Sequence, residues 1–229
     1  MTETVAPAAR TIEARTHGRY LVRVPGTPPP WPLLAGFHGY SQSAADHLDA
    51  LMTIPGSEEW LLVAVQALHR YYTRNDKVVA SWMTREDREA AIADNVDYVG
   101  RVLDRVRQEH QTRPTLVFAG FSQGGGMAYR AAANYRADAL IILAADVPPD
   151  VIAAQPVPLP PILLGRGTSD DWYTEDKQAA DLAALGRVGA RVETCVFEGG
   201  HEWSDAFRAA AGQMLRSLLA SGGDVRPDR

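Results

Sequence analysis

Ser122 is the residue of this chain whose surroundings most suggest a nucleophile. It stands at the centre of Gly-Phe-Ser-Gln-Gly, a G-x-S-x-G pattern at residues 120–124. An apolar run at 115–119 precedes the pattern, and a helix is predicted at 126–135. A strand, a tight turn and a helix in this order predict a nucleophile elbow, which presents a serine hydroxyl at a strand end. The alternative is a flexible Gly/Ser turn without chemistry.

A serine hydroxyl is a weak nucleophile at neutral pH, so it needs a base nearby and a group that orients the base. Enzymes with this elbow carry the three groups in the order Ser, acid, His. Downstream of Ser122 there is one histidine, His201, between the last predicted strand and the last predicted helix. His201 is therefore the candidate base, and the alternative is an exposed loop histidine. His38 precedes the serine, and we expect it to hold its loop.

Three aspartates are candidates for the acid. Asp170 and Asp171 follow the predicted strand at 162–164, and Asp146 follows the strand before it. Any of them could instead be a turn aspartate bonded to its own backbone. We favour Asp170, because it lies beyond the carboxyl end of a buried strand, where open α/β sheets place their sites. Asp171 is the second choice and Asp146 the third.

The tetrahedral intermediate of acyl transfer carries an oxyanion, which needs preorganised N–H donors. One donor is expected from the residue after the nucleophile, Gln123. The other is expected from the loop after an earlier strand, and residues 37–41, Phe-His-Gly-Tyr-Ser, fit that place. Tyr40 is the predicted second backbone donor.

The elements that must position these residues are short apolar runs alternating with amphipathic stretches. This alternation predicts an α/β fold with a mostly parallel central sheet flanked by helices, in a single domain over 1–229 with flexible tails at about 1–15 and 221–229. Strands are predicted at 20–24, 33–37, 61–65, 115–119, 140–143, 162–164 and 192–197. Helices are predicted at 43–51, with Ser43 as N-cap and Asp46 as its N3 acid, and at 85–109, 126–135, 175–185 and 204–219.

Composition excludes several function classes. The net charge is −5 and there is no Lys/Arg-rich run, which disfavours nucleic-acid binding. The single cysteine, Cys195, permits no intrachain disulfide, and metal-type cysteine spacing is absent. The N-terminus has no apolar signal segment and no run is long enough to insert stably in a membrane. We expect a cytoplasmic protein.

Four segments carry a family resemblance: 120–125, 37–39, 165–170 and 200–201. Together they resemble the phospholipase/carboxylesterase family of small α/β-hydrolases, which includes acyl-protein thioesterases and bacterial carboxylesterases. The resemblance spans about residues 33–219. It implies the α/β-hydrolase fold, with Ser122 as nucleophile, Asp170 as acid and His201 as base.

The chain departs from the family pattern at two places. Ser41 stands where family members often carry the second glycine of His-Gly-x-Gly, which bears on the geometry of the oxyanion loop. Arg166 and Gly167 stand where His-Gly often precedes the acid, and this position is not expected to be catalytic.

Few features of the sequence bear on the substrate. No long insertion separates residues 162 and 201, so a large cap domain is not expected, whereas residues 68–83 could form a modest lid. Aromatic residues near the site could line an apolar pocket or merely pack in the core or rim. They are Tyr71, Trp82, Trp172 and Trp203.

The sequence thus predicts a serine hydrolase, without metal or cofactor, that cleaves small to medium carboxylic esters through an acyl-enzyme on Ser122. The same triad could serve an acyl-thioesterase, a lysophospholipase or a peptidase. In another class, the chain could be a non-catalytic binding protein that keeps the hydrolase pocket. The expected partner is a small-molecule ester, and the choice between monomer and homodimer stays open.

Overall fold

The computed structural model describes residues 8–154 and 158–221. The predicted tails lie partly outside this range, since residues 1–7 and 222–229 are not described. The strands are β1 Arg19–Arg23, β2 Trp31–Phe37, β3 Leu61–Gln66, β4 His69–Tyr72, β5 Val78–Ser81, β6 Thr112–Phe121, β7 Ala139–Leu143, β8 Ile162–Gly167 and β9 Val192–Phe197. The helices are α1 Ala44–Met52, α2 Arg88–Glu109, α3 Gln123–Asn134, α4 Pro149–Ala153, α5 Glu175–Arg187 and α6 Asp205–Ser221.

In the part of the chain that the structure describes, seven strands form one sheet in the order β1-β3-β2-β6-β7-β8-β9. Of these seven, β1 runs antiparallel to its neighbour, and the other pairs are parallel. Every residue of β3, β7 and β8 is buried, as expected for parallel strands with helices on both faces. The predicted α/β class with a mostly parallel sheet is therefore confirmed.

The helices cover the sheet with apolar stripes. In α2, Val99, Leu103 and Val106 recur at three- and four-residue spacing and are buried, and Val102 is buried beside them. Helix α1 begins with a capping box, in which Ser43 and Asp46 bond each other's backbone N–H groups. Within residues 8–154 and 158–221, none of the helices is both long enough and apolar enough to cross a bilayer.

The sequence analysis did not predict the hairpin of β4 and β5 or the short helix α4. The segment proposed as a lid, 68–83, contains the antiparallel hairpin of β4 and β5, which pair from His69–Ser81 to Tyr72–Val78. The proline-rich connector after β7 contains the short helix α4. Pro149 is suited to the first turn of a helix, because its missing N–H would have no intrahelical partner there.

Within the described residues, six parallel strands end at one edge of the sheet: β2, β3, β6, β7, β8 and β9. The loops that follow them, with the turn into α3, therefore gather at this edge, which is the usual place for a site in an open α/β sheet. All the predicted catalytic residues lie on these loops.

Candidate active site

The turn between β6 and α3 holds Ser122 in a strained backbone conformation. Its φ is 53° and its ψ is −124°, a combination that residues other than glycine rarely adopt. The surrounding backbone fixes the turn: Ser122 N–H donates to the carbonyl of Leu143 on β7 at 2.9 Å, and Gly125 N–H donates to the carbonyl of Ser122 at 2.9 Å. These contacts form the predicted elbow, with the serine between strand and helix.

Two glycines make this turn sterically feasible. A Cβ on Gly120 would overlap the carbonyl of Gly124, and a Cβ on Gly124 would overlap the carbonyl of Phe37 at the end of β2. The first contact closes the turn on itself, and the second presses α3 against the loop after β2. Both positions therefore require glycine, because the neighbouring backbone lies too close to leave room for a Cβ.

His201 and Asp170 form a hydrogen-bonded pair on two neighbouring loops. His201 Nδ1 lies 2.9 Å from Asp170 Oδ2 and 3.1 Å from Oδ1. The Asp170 side chain is fully buried, and its Oδ1 also accepts the backbone N–H groups of Trp172 and Tyr173 at 2.8 Å. A carboxylate can only accept, so Nδ1 carries the hydrogen and Nε2 is left as the acceptor.

The other two candidate acids make no hydrogen bond to His201 in the described part of the chain, although Asp146 lines the same cavity. Asp171 is exposed, and Asp146 is exposed and lies 3.4 Å from Lys177 Nζ. Of the three aspartates, only Asp170 is bonded to His201 within the described chain.

The loops that carry the acid and the base are joined through their backbones. Ser169 N–H donates to the carbonyl of Gly199 at 2.9 Å, and Thr168 N–H donates to that of Phe197 at 2.8 Å. A Cβ on Gly167 would overlap the carbonyls of Gly199 and Gly200. The distance between Asp170 and His201 is therefore set by backbone packing.

A buried side-chain network supports the acid loop from the other side. Tyr173 O–H donates to Asp181 Oδ2 at 2.9 Å, and the same oxygen accepts Val147 N–H at 3.0 Å. Burial raises the pKa of Asp181, and the two hydrogen bonds oppose that rise. Asp181 thus connects the loop after β7 to the loop that carries Asp170.

Ser122 and His201 line one cavity of about 270 Å³ at the sheet edge. Within the described residues, no hydrogen bond joins Ser122 Oγ to His201. Half-buried His201 packs its ring against Phe121, with ring centres 4.9 Å apart. The remaining lining residues are Met83, Arg88, Gln123, Gly126, Arg130, 144–149, Trp172, Tyr173 and Lys177.

The two predicted oxyanion donors are both unused in the described part of the chain: neither the backbone N–H of Gln123 nor that of Tyr40 has an acceptor. Gln123 begins α3, where the first N–H groups have no intrahelical partner. The loop of Tyr40 is held by Ser41 N–H, which donates to the carbonyl of Ala80 at 3.1 Å. Ser41 itself has a φ of 59°, the conformation that a glycine would adopt without strain.

His38 lies near the elbow but is enclosed. Its Nδ1 donates to the carbonyl of Gly39 at 2.7 Å, and its Nε2 accepts Ala67 N–H at 3.1 Å. Burial lowers the pKa of His38 and so favours the neutral ring. Both ring nitrogens are occupied by backbone, so His38 holds the loop after β2.

One of the four aromatic residues proposed for the pocket lines the cavity. Trp172 does so and is 75% exposed. Trp82 is fully buried and donates its Nε1–H to the carbonyl of His38 at 2.8 Å. Trp203 packs on Phe207, and Tyr71 lies against Tyr40 with ring centres 6.0 Å apart. Within the described chain, Tyr71, Trp82 and Trp203 are outside the cavity lining.

Three positively charged residues of this cavity were not predicted: Arg88, Arg130 and Lys177. For Arg130 a signal existed: Gly126 and Arg130 stand four and eight residues after Ser122, a spacing that places them on one helix face. For Arg88 and Lys177, on other elements, no comparable signal was available.

Neither a family model nor a curated protein sequence matches the chain. Solved structures do match: the Bacillus cereus carboxylesterase is 16% identical, with 87% of this chain and 94% of that chain covered and a TM-score of 0.69. A phospholipase/carboxylesterase from Dyadobacter fermentans is 20% identical, with 87% and 97% covered and a TM-score of 0.67. Zea mays acyl-protein thioesterase 2 is 16% identical, with 89% and 99% covered and a TM-score of 0.66. The chain therefore has the α/β-hydrolase fold of phospholipase/carboxylesterase-type structures, as its motifs predict.

Proposed function

We propose that this chain is a single-domain serine hydrolase that cleaves carboxylic esters of small to medium acyl chain. The observation that carries the proposal is that His201, bonded to buried Asp170, lines the same cavity as Ser122 in its strained elbow. The fold shared with solved carboxylesterases supports it. A protein that only bound a ligand would have no need for this combination.

The reaction is a double displacement. Ser122 Oγ attacks the acyl carbon while His201 Nε2 takes its proton, and the protonated ring then donates that proton to the leaving alcohol. Water cleaves the acyl-enzyme in the second half, again with His201 as base, and releases the acid. Asp170 keeps the hydrogen on Nδ1 and stabilises the transient imidazolium, without taking up the proton itself.

The oxyanion of each tetrahedral intermediate is held by the backbone N–H groups of Gln123 and Tyr40. Both are unused within the described chain, so no existing hydrogen bond has to break. The side chain of Gln123 stabilises this arrangement, because its Oε1 accepts Trp82 N–H at 2.9 Å and its Nε2 donates to the carbonyl of Met83 at 3.0 Å.

The cavity favours a small ester. Its volume of about 270 Å³ is at the lower limit of the pockets that hold drug-sized ligands. Thioesters would react by the same steps, since only the leaving group differs.

Steady-state hydrolysis of 4-nitrophenyl acetate, butyrate and palmitate tests the proposal. We expect kcat/KM to be highest for acetate or butyrate and hydrolysis to disappear in Ser122→Ala. Wild-type activity that persists in Ser122→Ala would overturn the assignment of the nucleophile. The thioester analogue of the preferred acyl group, measured beside it, ranks the two leaving groups.

A further inference from the structure

The cavity beside Ser122 has an unusual charge for this protein. The whole chain has a net charge of −5, yet the charged lining residues are three cations and one carboxylate. The cations Arg88, Arg130 and Lys177 come from α2, α3 and α5, so three separate elements contribute them. The carboxylate is Asp146.

Two of the three cations are paired. Arg130 is 3% exposed and bonds Asp150 through two N–H groups, Nε to Oδ2 at 2.7 Å and Nη2 to Oδ1 at 2.8 Å. Lys177 Nζ donates to the carbonyl of Trp172 at 2.7 Å and lies 3.4 Å from Asp146. Each of these two positive charges therefore has a carboxylate partner.

Arg88 is the exception. Within the described residues its guanidinium forms no ion pair and no side-chain hydrogen bond, although its charge helps to lower the pKa of Asp150 after the larger effect of Arg130. It is also the first residue of α2, where a positive side chain opposes the helix dipole and costs stability. Within the described chain, Arg88 is thus an exposed cation at the cavity that makes no direct contact with a carboxylate.

We infer that the ester hydrolysed at this site carries a carboxylate on the part that occupies the cavity, and that Arg88 binds it. The inference rests on the proposed hydrolase function and names its substrate class. Arg88 supplies the attraction, because the charges of Arg130 and Lys177 are offset by their carboxylate partners. The bond broken is still the ester bond; the carboxylate only orients the substrate.

Two matched pairs of esters test this inference. Monoethyl adipate and ethyl hexanoate differ by a carboxylate on the acyl side, and 4-acetoxybutanoate and butyl acetate differ by one on the alcohol side. We expect wild type to prefer the anionic member of at least one pair, with a kcat/KM about three- to fivefold higher. This is the effect that one exposed ion pair typically has on binding. The preference should shrink as salt is raised, since exposed charges are screened.

The variants locate the effect. Arg88→Gln should abolish the preference and Arg88→Glu should reverse it. Arg101→Gln is the matched control: Arg101 lies on the same helix, thirteen residues from Arg88, and pairs with Asp97 at 3.1 Å. It should keep the wild-type preference. Circular dichroism checks folding, and Arg88→Glu should be no less stable than wild type, because an acid favours a helix N-terminus.

The outcomes separate the two proposals. If wild type hydrolyses both members of each pair equally and a fluorophosphonate still labels Ser122, the inference fails and the hydrolase function stands. If Arg88→Gln and Arg101→Gln lower the preference equally, Arg88 is not the binding residue and the inference also fails. If no ester is hydrolysed and Ser122 is not labelled, the proposed function fails and the inference with it.

Discussion

Two histidines lie on loops beside the elbow, and they differ in almost every respect that matters for catalysis. His38, after β2, is fully buried and gives both ring nitrogens to backbone groups. His201, after β9, is half-buried, lines the cavity and gives one nitrogen to a buried carboxylate. A base needs access to the reacting atom and a group that orients it. Histidine at a strand end therefore does not identify a base; its partners do.

Removing each ring tests this comparison most strongly. His201→Ala should lower kcat on the order of 10⁵- to 10⁶-fold, the loss seen when a triad histidine is removed. His38→Ala should instead destabilise the fold by about 2 to 4 kcal/mol, because Ala67 N–H and the carbonyl of Gly39 lose their partners and a cavity remains. Ester hydrolysis and urea unfolding measure the two effects. A comparable loss of stability in both variants would contradict the distinction between a structural His38 and a catalytic His201.

The next largest effect concerns the acid. Asp170→Asn should lower kcat on the order of 10⁴-fold, because an amide cannot hold the imidazole in the same tautomer. Asp171→Asn is the matched control, since its side chain is exposed one residue away and makes no hydrogen bond to His201 within the described chain. Steady-state kinetics of both variants decides the matter. A greater loss in Asp171→Asn would reassign the acid.

The packing of the loop after β2 on the elbow predicts a third effect. Gly124→Ala should destabilise the fold by about 3 kcal/mol or more, because its Cβ would overlap the carbonyl of Phe37. In Gly126→Ala, two residues along the same helix, the Cβ would meet Arg130 Nη1 at 3.4 Å, an ordinary contact. That variant should be as stable as wild type or more so. Equal denaturant midpoints for the two variants would contradict the packing described here.

The smallest effect is on the pH dependence of stability. His47, on α1, is buried, and burial lowers its pKa to about 3, with a smaller effect from repulsion by nearby His38 when that ring is protonated. In the unfolded chain the imidazole of His47 takes up a proton near pH 6.5, whereas in the folded protein it stays neutral at that pH. The contribution of His47 to the free energy of unfolding is therefore fully present above pH 6.5. As the pH falls from 6.5 toward 3, this contribution decreases by up to about 1.4 kcal/mol for each pH unit.

His47→Leu measures that contribution. Between pH 7.5 and pH 4.5 the free energy of unfolding of this variant should fall less steeply than that of wild type. Other groups contribute to both slopes equally, so only the difference is diagnostic. Parallel slopes would mean that His47 takes up its proton in the folded protein as readily as in the unfolded chain.

The sequence predicted those parts of the molecule that have a local signal. Continuous apolar runs predicted the buried strands, and Ser43 with Asp46 predicted the start of α1. Helix α3 was predicted to begin at Gly126 and begins at Gln123 instead, because backbone packing of Gly120 and Gly124 outweighs the poor helix propensity of glycine. The hairpin β4–β5 has only four-residue strands and gave no clear pattern.

The site could be predicted in part. Ser122, Asp170 and His201 could be named because each lies just after a recognisable strand and few alternatives exist. The burial of Trp82 and the enclosure of His38 depend on how distant segments meet, which no local pattern specifies. The same holds for Arg88, whose neighbours at the cavity lie on other elements.

Labelling with a fluorophosphonate, followed by peptide mass spectrometry, tests the central claim most directly. An activated serine in an oxyanion site reacts with this probe, whereas an ordinary surface serine does not. We expect one adduct, on the peptide containing Ser122, which should be absent in Ser122→Ala and form much more slowly in His201→Ala. No adduct on the folded wild type, or an equal adduct on Ser122→Ala, would contradict it.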